Sequence, residues 1–168
     1  MVKIKAYTPE IVDKKGNALK NSITSLEEIE INGIKQSILI RGSNVNNPIL
    51  LYLHGGPGYS EMGLFNHFNS ELEKHFIIVN WDQRGTCKSY HSLDLLNKTI
   101  NLEQFIKDIK TLVEILRKKF KKKKIYLVGH SWGTIIGMIF TQRHPNLVEK
   151  YIGISQVVNM VEADDIAY

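Results

Sequence analysis

At 168 residues, with 43% apolar and 23% charged side chains, the chain has the composition of one globular domain, which excludes a disordered or collagen-like polymer. Its single cysteine, Cys87, rules out an internal disulfide framework and deprives any Cys/His zinc site of its usual second thiolate, so no metal is expected. The net charge of +5 is local: seven of the 22 basic residues lie within residues 117–124, a run favoured by a helix dipole and solvated on its own, so no nucleic-acid partner is expected.

The elements follow in chain order. Residues 26–31 and 36–41 are short runs of alternating polarity joined through Asn32-Gly33, a dipeptide suited to the positive φ of a hairpin turn. Residues 49–53 form a continuous apolar run, as in a strand covered on both faces, and end in the glycine loop His54-Gly55-Gly56-Pro57-Gly58. A helix is expected over residues 61–74, with Leu64, Phe65, Phe68 and Leu72 on one stripe, and a second buried strand over 76–81, closed by Asp82-Gln83-Arg84-Gly85. Residues 86–100 are polar and read as an exposed loop. Asn101 has the character of an N-cap, with Gln104 placed as in a capping box, and opens the strongest amphipathic helix, from Leu102 through Phe120. A third buried strand over 125–128 turns through Gly129-His130-Ser131-Trp132-Gly133 into a helix over 134–143, and residues 148–154 supply one more strand.

Buried strands alternating with helices after an opening hairpin predict a three-layer α/β fold with a mostly parallel sheet. No stretch has the pattern of a secretion signal or the roughly 18 apolar residues of a membrane span, so a cytoplasmic chain is expected.

Ser131 carries the chemistry in this reading. Residues 129–133 fit G-x-S-x-G, preceded by an apolar strand and followed by a helix, the setting in which a sharp turn holds a serine up as a nucleophile. Gly129 and Gly133 remove side chains that would collide in such a turn, and free N–H groups at the helix start favour developing negative charge. The loop after residue 53 lets backbone come close to a substrate carbonyl, so an oxyanion would be held by the N–H groups of Gly56 and Trp132. Each such donor is worth about 2.7 to 4 kcal/mol in the transition state. The plain alternatives are a tight turn that merely contains serine and a glycine-rich turn without a ligand. Residues 85–89 do not make a phosphate loop, because Cys87 stands where glycine must precede Lys-Ser.

Together the motifs at 54–58, 82–85 and 129–133 resemble the α/β-hydrolase superfamily, and within it the prolyl aminopeptidase (proline iminopeptidase) branch, over residues 26–159. The resemblance implies an eight-stranded sheet, of which this chain supplies the first six strands. It divides the chain into an N-terminal extension (1–24), a partial hydrolase core (25–155) and the start of a connection to a cap (156–168). It further implies a serine hydrolase that removes N-terminal residues from peptides without a cofactor. Ser131 would be the nucleophile, and the amides of Gly56 and Trp132 the oxyanion hole. His54, Gly55, Gly129 and Gly133 would support the site, and Asp82 and Arg84 would order its loops, as an ion pair rather than as catalytic groups.

In that superfamily the triad acid and base follow the sixth strand, so the chain by itself is expected to be nearly inert, with an open sheet edge through which it could self-associate. His130 is expected to leave the elbow in a different direction from Ser131, His54 to be a structural hydrogen-bonder, and Glu162, Asp164 and Asp165 to belong to an exposed turn. An Asp at the elbow would have signalled an epoxide hydrolase or haloalkane dehalogenase; Ser131 argues against both. A small peptide or an ester both remain as substrates, since an esterase or lactonase fits the same motifs, and a non-catalytic interaction module is the reading from a different class.

Overall fold

The computed structural model describes residues 7–91 and 99–159. Among these residues six strands build one sheet: β1 (Ile23–Ile31), β2 (Ile34–Gly42), β3 (Ile49–Leu53), β4 (Ile77–Trp81), β5 (Ile125–His130) and β6 (Val148–Ile154). Among the described residues three α-helices, α1 (Met62–Phe68), α2 (Leu102–Phe120) and α3 (Trp132–Arg143), cover it. The strand order is β1-β2-β4-β3-β5-β6, antiparallel across β1-β2 and β2-β4 and parallel from β4 to β6.

The opening hairpin turns where the Asn-Gly pair predicts it. Asn32 and Gly33 both have positive φ, 47° and 82°, the pairing that matches a tight turn to the twist of its strands. β3 and β4 are buried at every position, which is why their sequences show no alternation.

Two apolar layers hold the fold. The larger joins Leu51, Leu53, Val79 and Leu127 of the sheet to Ile109, Leu112 and Leu116 of α2 and to Ile136 and Phe140 of α3. The smaller, on the opposite face, gathers Leu50, Tyr52, Ile78 and Val128 under Phe65 of α1. The predicted three-layer α/β arrangement with its opening hairpin is therefore present.

α2 starts as predicted in part. The Asn101 side chain accepts a hydrogen bond from the Gln104 N–H at 2.9 Å, but the Gln104 side chain does not return to complete a capping box; it donates to Asp108 instead. The helix closes at Lys121, whose φ is 53°, with the Lys122 N–H reaching back to the Arg117 carbonyl at 2.9 Å.

The helix expected over 61–74 is shorter than predicted. α1 stops at Phe68, the Asn69 side chain bonds to the Phe65 carbonyl, and a 3-10 turn follows over Ser70–Lys74. The expected stripe breaks up with it: Phe65 is buried, while Leu64 and Phe68 are 53% and 76% exposed. Residues 86–100 are not uniformly exposed either. Thr86 and Ser89 are buried beside a 3-10 turn over Cys87–Ser89, because the Ser89 hydroxyl donates to the Asp82 carbonyl and accepts from the Ser37 N–H. Residues 92–98 lie outside the described residues, as do 160–168 and with them Glu162, Asp164 and Asp165.

β3 and β5 are parallel neighbours, with Leu53 opposite Gly129 at their last paired position. Their carboxyl ends therefore release both glycine motifs at one level of the sheet. Loops at the carboxyl ends of parallel strands are where α/β sheets build ligand sites.

Candidate active site

Ser131 stands between the last residue of β5 and the first of α3 with φ 48° and ψ −116°, a conformation that L-residues adopt only when their surroundings impose it. The imposition is steric. A Cβ on Gly129 would lie 2.5 Å from the Gly133 carbonyl oxygen, and one on Gly133 would lie 2.0 Å from the Leu53 carbonyl oxygen. In both cases the atom met is a backbone carbonyl oxygen that cannot swing aside, so only glycine lets β5 turn this sharply against β3. The Ser131 N–H donates to the Ile154 carbonyl at 3.0 Å, and its carbonyl accepts from the N–H of Thr134 at 2.8 Å and from the Thr134 hydroxyl at 2.6 Å. Among the described residues no side chain hydrogen-bonds the Ser131 hydroxyl.

The glycine loop after β3 lies directly against this elbow. A Cβ on Gly55 would meet His130 Nδ1 and Ser131 Cβ, each at 3.3 Å, and Gly56 is exposed with φ 115°. His54, 2% exposed, is used up structurally: its Nε2 accepts from the Gln83 N–H at 3.1 Å, which leaves the proton on Nδ1 to donate to the Gly55 carbonyl at 2.8 Å. Burial lowers the His54 pKa against the opposing pull of that hydrogen bond and of the Asp82 and Glu61 charges, so the ring is held neutral.

Three further residues tie the loops together, and sequence reasoning missed all of them as site residues. Gln83 donates to the His54 carbonyl at 3.0 Å and accepts from the Trp132 indole N–H at 3.2 Å, joining the glycine loop to the start of α3. Asp108 takes both Nε and Nη2 of Arg84, at 2.8 and 3.0 Å, and so fastens residues 82–85 to α2. Glu61 accepts from the Tyr52 hydroxyl at 2.7 Å and from the Gly55 N–H at 3.1 Å, and its other oxygen lies 2.8 Å from His130 Nδ1.

The expected ion pair of Asp82 with Arg84 is corrected by this geometry. Arg84 pairs with Asp108, while Asp82 accepts from the Ser60 hydroxyl and, at 3.4 Å, from the Lys88 N–H. The buried face of α2 offers Arg84 a carboxylate at bidentate distance, which a neighbour two residues away on the same turn does not.

A cleft of about 430 Å³ opens at the opposite end of the parallel strands, lined by Lys122, Lys123, Lys124, Tyr126 and Glu149, remote from Ser131 in the sheet. Among the described residues no group of three or more His, Cys, Asp or Glu side chains is arranged to hold a metal, and no helix is long and apolar enough to cross a membrane.

A match to the α/β hydrolase fold family extends over residues 48–167 and takes in every motif above. The chain belongs to that family. Its relatives include "Probable aminopeptidase YbaC" of Bacillus subtilis, 43% identical over 149 residues, which span 89% of this chain and 46% of the relative. A proline iminopeptidase of Heyndrickxia coagulans is 27% identical over 127 residues, covering 74% of this chain and 40% of that protein. Among solved structures, the proline iminopeptidase-related protein of Thermus thermophilus superposes with a TM-score of 0.70 at 24% identity, over 82% of this chain and 46% of that one. An epoxide hydrolase of Vigna radiata superposes with a TM-score of 0.65 at 22% identity, over 86% and 47%. At such identities the two structures establish the fold alone. This α/β hydrolase chain spans less than half the length of these curated relatives.

Proposed function

We propose that this hydrolase chain is the nucleophile-bearing part of a serine aminopeptidase of the prolyl type. The observation that carries the reading is the backbone of Ser131, held at positive φ at the carboxyl end of β5 with the Gly55-Gly56 loop against it. In this reading Ser131 Oγ attacks the carbonyl carbon of the scissile amide while its proton passes to a histidine. The carbonyl oxygen becomes an anion held by the N–H groups of Trp132 and Gly56. The amide C–N bond then breaks, the amine leaves with the proton, and water hydrolyses the acyl-enzyme.

The acid and base of the triad are assigned to sequence beyond β6. Both ring nitrogens of His54 are engaged, and Nδ1 of His130 is turned to Glu61, which supports looking for the base elsewhere. Without them the chain keeps only the roughly 10³ to 10⁴ over water that binding and the oxyanion hole supply. The relatives' names direct the choice toward N-terminal residues of peptides.

The test is a chimera in which this chain replaces the matching segment of the Bacillus subtilis relative. It is expected to hydrolyse proline-β-naphthylamide and to take a fluorophosphonate label on Ser131, and Ser131→Ala is expected to abolish both. A folded chimera that cleaves p-nitrophenyl esters but no prolyl amide would assign an esterase instead. One that is not labelled at Ser131 would end the proposal.

A further inference from the structure

Glu61 belongs to none of the sequence motifs, yet its carboxylate joins three elements around the elbow. One oxygen accepts from the Tyr52 hydroxyl of β3 and from the Gly55 N–H of the glycine loop, at 2.7 and 3.1 Å. The other lies 2.8 Å from Nδ1 of His130, the residue before Ser131. The Gly55 N–H lies in the peptide plane just before the one that carries the Gly56 N–H, and that next plane is held through the Gly55 carbonyl, which accepts from His54 Nδ1 at 2.8 Å. Glu61 and His54 thus fix the two successive planes that lead into Gly56. Gly56 itself is exposed, at φ 115°, so the direction of its N–H depends on those two holds.

From this geometry we infer that Glu61 is a positioning residue, which braces the glycine loop against the Ser131 elbow and thereby sets the spacing between the Gly56 and Trp132 N–H groups. The inference rests on the reading of Ser131 as nucleophile for its catalytic consequence, but the brace itself is testable without any turnover. An oxyanion hole works only when both donors meet the developing charge at hydrogen-bond distance. A loop free to drift would keep Ser131 intact and lose the transition state.

The brace is charge-dependent. The titratable groups facing Glu61 are Tyr52 from β3, His54 from the loop that follows and His130 from the end of β5. Burial pushes the Glu61 carboxyl up, but hydrogen bonds from Tyr52, Gly55 and His130, with the His130 charge, prevail and hold it below its ordinary value of 4.5. A lowered folded value means that the brace is complete above pH 4.5 and is released as pH falls further below it.

The experiment uses the 168-residue chain with Glu61→Ala and Glu61→Gln, reading protection of the Gly55, Gly56 and Trp132 amides from hydrogen exchange by NMR across pH, with the amides of α2 as the fold control. In the parent chain, protection of Gly55 is expected to fall on acidification below 4.5. Glu61→Ala is expected to remove it at every pH with α2 unchanged. Glu61→Gln, whose amide oxygen still accepts, should keep part of it with no pH dependence.

In the chimera described above, Glu61→Ala is expected to slow fluorophosphonate labelling by about tenfold or more, up to the 10²- to 10³-fold lost with a whole oxyanion donor, with kcat falling and KM held. Labelling of the parent and of Glu61→Ala at equal rates would overturn the positioning role while leaving Ser131 as nucleophile. Unchanged Gly55 protection in Glu61→Ala would overturn the brace itself. Absence of label from the parent would count against the nucleophile alone, since the exchange data decide the brace independently.

Discussion

Replacing Asp108 should be the most damaging single change outside the elbow. Its side chain sits on the buried face of α2 at 0% exposure and accepts five hydrogen bonds. These come from Asn32 at 2.7 Å, Gln36 at 3.1 Å, Gln104 at 2.8 Å and the two Arg84 nitrogens at 2.8 and 3.0 Å. Arg84 is itself only 2% exposed, so Asp108→Ala strands a guanidinium with neither counter-charge nor water. Breaking a buried pair from one side costs about 3 to 5 kcal/mol, a large share of the roughly 5 to 15 kcal/mol that holds a domain folded. With a urea slope of about 2 kcal/mol per molar, the unfolding midpoint should drop by roughly 2 M.

The diagnostic comparison is the double variant Arg84→Met with Asp108→Leu. It removes both charges, Gln36 keeps its contact with the Ile31 carbonyl at 3.4 Å, and Asn32 and Gln104 can turn to solvent. It should therefore be less destabilised than Asp108→Ala alone. Urea unfolding followed by circular dichroism reads both. An Asp108→Ala chain within about 1 kcal/mol of the parent, or a double variant weaker than the single, would refute the reasoning.

The glycines separate by their surroundings. Gly133→Ala forces a Cβ to 2.0 Å from the Leu53 carbonyl oxygen and should abolish cooperative thermal unfolding, whereas Gly63 in α1 has nothing within 4 Å of its Cβ position, so that Gly63→Ala should gain about 0.5 to 1 kcal/mol. Ser131→Gly should remove all labelling at the elbow while raising stability by about 1 kcal/mol, the released strain less glycine's extra unfolded freedom; a destabilised, still unlabelled variant would contradict the strain argument. Because burial lowers the His54 pKa below its ordinary 6.5, the unfolded chain binds more protons below that value, and stability should fall as pH drops through it. His144, also lowered by burial, adds to the same slope. His54→Gln should flatten the slope measured by urea unfolding between about pH 7 and 5, and an unchanged slope would assign it elsewhere.

The strands were legible because each central one is buried on both faces and must be apolar throughout, as residues 49–53 and 77–81 are. The hairpin was legible because only a few dipeptides tolerate two positive φ values in succession. Ser131 and its glycines could be read because the turn's steric demand is local, so that residues two apart in sequence carry it.

What sequence reading missed is long-range. The Arg84 partner lies 24 residues away on another element, and its one sequence signal was a carboxylate set into the apolar stripe of Phe105, Ile109 and Leu112. Glu61 meets His130 across 69 residues, and in the sequence it is indistinguishable from an acidic residue at the start of a solvated helix. Leu64 and Phe68 misled for the opposite reason: helical spacing says which residues share a face, and only tertiary structure says whether that face is covered.

The most direct measurement is the crystal structure of the fluorophosphonate adduct of the chimera, because its phosphoryl oxygen occupies the position of the oxyanion. The account predicts phosphorus bonded to Ser131 Oγ, with that oxygen about 2.7 to 3.1 Å from the backbone nitrogens of both Gly56 and Trp132. An adduct on another residue, or one on Ser131 whose oxygen points to solvent away from those two amides, would contradict it.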